Sequence, residues 1–157
     1  NLSNIFSDCF QEIENFIKNN KFNISKIIIN EGDFGPFRQN INPVWDWGFH
    51  SISLIFKLFK EDNISTLQNR VVRKNNYFGN GLVIKFDLII NNSIKVKILN
   101  KNLFKKKNRN LKIILKNNDF LMCDFVSHEV FINKKLILKS KITPLSSLFK
   151  TFYKGEG

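Results

Sequence analysis

The segment ISKIIINEGDFG, residues 24 to 35, constrains the fold most strongly. Three consecutive isoleucines, Ile27 to Ile29, give way at Asn30 to a polar stretch with Gly32 and Gly35. Such a run predicts a strand over 24–30, apolar on both faces or central in its sheet. A strand that ends this way either turns a corner or delivers polar groups to a ligand. The rest of the chain has to decide between them.

Beyond Asn63 the pattern is that of strands. LVIKFDLII (82–90) alternates Ile84, Phe86, Leu88 and Ile90 with Lys85 and Asp87, as a half-buried strand does. LKIIL (111–115) and FLMCDFV (120–126) read as a pair joined through Asn117-Asn118-Asp119, and KLILKSKI (135–142) as a last strand. NRVVRKNNYFGNG (69–81) reads as a basic loop or strand edge, and KKKNR (105–109) as an exposed basic turn. The segment 92–104 is open: Ile94, Val96 and Ile98 alternate as in a hairpin strand, while a helix reaching Leu103 also fits.

Helices frame these strands. Phe6, Cys9, Phe10, Ile13, Phe16 and Ile17 recur at three- and four-residue intervals, predicting a helix over 2–18 with acids in its early turns. A second helix is expected over 46–60, with Trp45, Phe49, Ile52, Phe56 and Phe59 on its core face. Thr143 caps a third over 144–152, with Pro144 at its first position. The order implies an α+β fold: an antiparallel-rich mixed sheet with helices packed on one face, formed by residues 1–157 as a single domain.

Composition bears on function through charge. Residues 1 to 69 carry six Lys+Arg against eight Asp+Glu, and residues 70 to 157 carry nineteen against five. The net charges are therefore −2 and +14, and a field that lopsided favours a polyanion. The chain has no alanine and seventeen Phe beside two Tyr and two Trp, the mark of an A+T-biased genome. That bias raises lysine everywhere, so it does not explain the step at residue 70.

Chemical motifs are scarce. Cys9 and Cys123 lack metal-ligand spacing and read as buried thiols. His50 and His128 have no partner nearby in sequence and read as packed or surface residues. There is no glycine-rich phosphate loop, HExxH or paired-carboxylate motif. No run reaches the roughly 18 apolar residues of a membrane span. No signal or transit peptide is visible, and the start at Asn1 reads as a trimmed product. The expectation is a soluble non-enzyme with no catalytic residue, metal site, cofactor, small-molecule substrate or membrane contact.

ISKIIINEGDFG, then NISTLQNRVVRKNNYFGNGLVIKFDLII, FLMCDFVSHEVF and KLILKSKITPLSSLFKTF together resemble, in order, segments of the ribosomal protein L-five family. The resemblance implies a mitochondrial structural constituent of the large ribosomal subunit. Its implied partners are 5S and large-subunit ribosomal RNA, neighbouring ribosomal proteins, P-site transfer RNA and a small-subunit bridge protein. It favours helix over 92–104. It implies RNA binding by Lys26, Asn30, Gly32, Arg70, Arg73, Lys74 and Lys85. The cations would neutralise phosphates, Asn30 would bond a base edge or ribose, and Gly32 would let backbone approach RNA. Asn30, Gly32, Arg70, Arg73 and Lys74 would share one edge. GDFGPF with its following Pro and Trp is similar to a subunit of the GINS replication complex, a family that continues as helix. An accessory subunit of an organellar membrane complex is the remaining alternative.

Overall fold

The structure, a computed structural model, describes residues 3–37, 48–60, 62–76 and 79–153. A 3-10 turn, Ser3–Phe6, leads into α1, Asp8–Asn20; β1 is Ile24–Phe34 and α2 is Phe49–Leu58. Seven strands follow: β2 Ile64–Asn76, β3 Gly79–Ile90, β4 Ile94–Lys101, β5 Leu103–Leu115, β6 Phe120–Asp124, β7 Glu129–Ile132 and β8 Lys135–Lys139. The last described element is α3, Pro144–Tyr153. All strands join one sheet in the order β2-β3-β4-β1-β5-β6-β7-β8. Every pairing is antiparallel except β1 with β4. The α+β class and the mixed, antiparallel-rich sheet are as expected.

Two meanders, β2-β3-β4 and β5-β6-β7-β8, flank β1 and make it central, which is what the isoleucine run requires. Ile27 and Ile29 are fully or almost fully buried on the covered face, beside Val96 and Ile98 of β4 and Leu111 and Ile113 of β5. Ile28 points to the other face and is half-buried. Burying one such side chain contributes about 1.5–3 kcal/mol, so this row anchors the fold.

Helix α1 begins where Ser7 accepts the Phe10 amide at 3.2 Å, with Asp8 in the first turn. Its buried stripe is Cys9, Phe10, Ile13 and Ile17. Cys9 and Cys123 are free, buried thiols, and the interaction with Cys9 together with burial pushes the Cys123 thiol far up. Thr143 caps α3 as expected, its Oγ1 accepting the Ser146 amide at 3.2 Å.

Several expectations are corrected. Residues 94–101 are strand, because alternation buries Ile94, Val96, Ile98 and Asn100 and exposes Lys95 and Lys97. Asn91 and Asn92, with φ 49° and 55°, make the tight turn before it, closed by the Ser93 amide on the Ile90 carbonyl at 3.1 Å. KKKNR is not a turn but the middle of β5. Of the two readings of the basic 69–81 segment, the strand edge holds: it supplies most of edge strand β2, where charges discourage pairing with other chains.

The face of α2 also differs. It buries Ser51, Leu54 and Ile55, while Phe49 and Phe56 are 52% and 55% exposed. The expected stripe holds only in part, at Phe59 and Ile52. Trp45 lies outside the described residues. A hydrogen-bonded serine, not a phenylalanine, fixes the rotation of this helix.

Candidate functional site

The side chains of a strand alternate, so the covered face that takes Ile27 and Ile29 next takes Glu31. β4 repeats the pattern, with Asn100 following Val96 and Ile98, and β5 places Arg109 in phase with Leu111 and Ile113. Register puts Glu31 between Asn100 and Arg109. One row of three adjacent strands thus changes from apolar to polar at the carboxyl ends of the parallel pair.

Ser51 of α2 closes over this row. Its Oγ donates to Glu31 Oε2 at 2.8 Å and accepts from Asn100 Nδ2 at 2.9 Å. Arg109 Nε lies 3.6 Å from Glu31 Oε1, an ion-pair distance too long for a hydrogen bond. Glu31 is 3% exposed and Ser51 and Asn100 not at all. Burial raises the Glu31 carboxyl above its ordinary value, while the Ser51 hydrogen bond and the Arg109 charge hold it back.

Two acceptors in this cluster lack donors among the described residues: Glu31 Oε1 and Asn100 Oδ1. A buried, unmatched acceptor costs about 1–3 kcal/mol, so the pair marks a place where donors from elsewhere would be stabilised. The crevice beside Ile29, Glu31 and Arg109 has no room for a water molecule. His50 adjoins Ser51 in the first turn of α2 and is half-buried. Among the described residues, no group of His, Cys, Asp and Glu converges to hold a metal ion.

The residues expected to bind RNA are only partly brought together. Asn30, Arg70 and Lys85 line one cavity of about 400 Å³ on the uncovered face. Asn30 is committed within the sheet, donating to Asn110 Oδ1 at 3.0 Å. Lys26 lies on β1 beside Lys95 of β4. Gly32, with φ 153°, makes room for protein backbone: a Cβ there would sit 1.9 Å from the Lys101 carbonyl oxygen. Strand alternation turns Arg73 to the face opposite Arg70, so one shared edge does not form. The Lys74 backbone pairs with Gly81 in the same hairpin.

Glu31, Ser51, Asn100 and Arg109 are not among the site residues expected from the sequence. Three of them carried a signal: each is a polar residue in phase with a core stripe, at Ile27/Ile29, Val96/Ile98 and Leu111/Ile113. Ser51 carried none, since its partners lie 20 and 49 positions away.

No protein-family model matches the chain, and no curated protein matches it by sequence. Solved structures match its fold. A protein described as an oxidoreductase from Magnetospirillum magnetotacticum MS-1 superposes with TM-score 0.74 at 16% identity, covering 98% of this chain and 53% of its own. D-galactose-1-dehydrogenase from Rhizobium etli gives 0.66 at 10%, over 99% and 52%. Biliverdin reductase from Synechocystis sp. PCC 6803, solved with biliverdin and NADP+, gives 0.58 at 14%, over 92% and 52%. The chain spans about half the length of the structures it matches.

These likenesses overturn the ribosomal expectation. The fold is one found in oxidoreductases, and the L-five resemblance rested on short segments whose order a strand-rich chain reproduces without common structure. The 5S RNA-binding role, the ribosomal RNA, ribosomal-protein and transfer RNA partners, and the expectation of a non-enzyme without a small-molecule substrate fall with it. The GINS and membrane-complex alternatives gain no support either. Strands throughout 82–139 exclude the helical continuation that the GINS likeness requires.

Proposed function

We propose that this chain is the substrate-holding half of an oxidoreductase that acts on an alcohol-bearing small molecule such as a sugar. The observation that carries the reading is the pair of buried acceptors without donors among the described residues, Glu31 Oε1 and Asn100 Oδ1, at the carboxyl ends of β1 and β4; since the crevice beside them admits no water, a ligand reaches them as Ser51 of α2 gives way. Hydroxyl groups are the donors such acceptors select. Ligands of open sheets that contain parallel strands favour this end. Phe34 and Phe49, near Glu31 and Ser51 in sequence and both about half exposed, offer apolar surface to a ligand or a covering domain.

The described residues do not fit the dinucleotide side of such a reaction. A dinucleotide fold needs consecutive parallel strands and a glycine-rich turn into a helix. Here the single parallel pair is connected through α2 and a complete hairpin, β2-β3, and Gly79-Asn80-Gly81 runs on into β3. A companion domain or chain would supply that side.

Converting an alcohol to a carbonyl removes the hydroxyl proton. His50 is suited to take it, its half-buried imidazole standing next to the residue that closes the site. Ser51 positions Glu31 and Asn100, and Arg109 keeps the buried carboxylate balanced.

The test is turnover by the protein as isolated from its source, with NAD(P)+ and a panel of sugars and other polyols. Reduced nicotinamide should form with at least one, and His50→Asn should lower kcat by about 100-fold or more, the usual scale of general-base catalysis. An unchanged rate in that variant would remove His50 from the reaction. No turnover with any polyol would remove the proposed substrate class.

A further inference from the structure

The face of the sheet that α1 and α2 leave uncovered carries a second feature, unrelated to the Glu31 cluster. Register places Arg70 of β2 directly opposite Lys85 of β3, and Asp87 of β3 opposite Lys97 of β4. Leu99 of β4 lies opposite both Lys85 and Asn30. These side chains rim the cavity of about 400 Å³, and Ile28 and Leu99 give it an apolar floor. Among the described residues, none of Arg70, Lys85 and Lys97 forms an ion pair.

Directly opposed like charges destabilise a sheet, so an anion between Arg70 and Lys85 would relieve their repulsion. The rim holds three cations and one carboxylate, a net of +2. A phosphate monoester carries about −1.5 to −2 at neutral pH, which matches. An arginine fork and two ammonium groups are the donors such a group takes. The volume lies in the usual range of small-ligand sites, about 300–1,000 Å³.

We propose that this cavity binds a small phosphate-bearing molecule, its phosphate held by Arg70, Lys85 and Lys97 and its carbon skeleton lying over Ile28 and Leu99. The site is independent of the covered-face cluster, and either can fail without the other.

Calorimetric titration at constant ionic strength tests it, with glucose 6-phosphate, inorganic phosphate and glucose as probes. The sugar phosphate should bind, glucose should not, and binding should weaken below about pH 6, where the ester loses its second charge. Arg70→Gln combined with Lys85→Gln should weaken binding at least tenfold without lowering the ligand-free melting temperature. Asp87→Asn should tighten it about threefold, an opposite effect that a folding defect does not produce. Equal binding of glucose and its phosphate, no binding of the sugar phosphate, or an unchanged affinity in the double variant would each overturn the proposal.

Discussion

Glu31 sits in phase with a core stripe and is nearly solvent-free, which makes its ionisation costly and gives the chain a pH signature. Its carboxyl is raised by burial from an ordinary 4.5. The folded state therefore binds the proton more tightly than the unfolded state. Stability is fullest below the ordinary carboxylate range and is lost as pH rises through the raised value. Glu31→Gln should abolish that decline, which melting curves at successive pH values above 4.5 would show as a flatter profile than wild type. Parallel profiles would mean that the carboxylate is not buried as described. Gly32, its neighbour, has no room for a side chain against Lys101. Gly32→Ala should cost at least about 2 kcal/mol in denaturant unfolding, because the obstacle is backbone and the φ is one that alanine avoids. The close approach that Gly32 permits is, in this structure, that of the Lys101 backbone.

At the scale of elements, what local pattern determines was legible and what distant pairing determines was not. Alternation located β3, the 111–115 part of β5, β6 and β8, and helical spacing located α1 and α3. The parallel union of β4 with β1 leaves no mark in either segment, since the partners lie some seventy residues apart. The rotation of α2 was misjudged because phenylalanines outnumber other signals there, while Ser51 gains its place only from Glu31 and Asn100. The turn between β3 and β4 shows how side chains fix such an element. Asn91 Oδ1 accepts the Asn63 amide at 3.0 Å and its Nδ2 donates to Asp62 at 2.6 Å, whereas Asn92 supplies only its positive φ. Asn92→Gly should therefore raise stability by about 0.5–1 kcal/mol, and Asn91→Gly should lower it by about 1 kcal/mol. A shift of the same sign in both denaturation midpoints would contradict this division of roles.

For the whole molecule, the charge step at residue 70 coincides with the strands β2 to β8, whose outward positions include Lys85, Lys95, Lys97 and Lys112. A basic half is thus a property of the uncovered sheet face as well as a mark of polyanion binding, and by itself it does not name a partner. With a net charge of +12, self-repulsion works against the compact state. Raising NaCl from about 10 to 150 mM should raise the melting temperature by screening it; a fall would mean that attractive pairs dominate. The central claim concerns the other face, where the carboxyl ends of β1 and β4 are held to take a hydroxyl-bearing substrate. Amide chemical shifts during titration with a panel of sugars and polyols test it most directly. The account predicts saturable shifts centred on Gly32, Ser51, Asn100 and Arg109 with at least one compound, lost in Ser51→Ala. Shifts confined to the far edge at Lys135 to Lys139, or none with any compound, would contradict it.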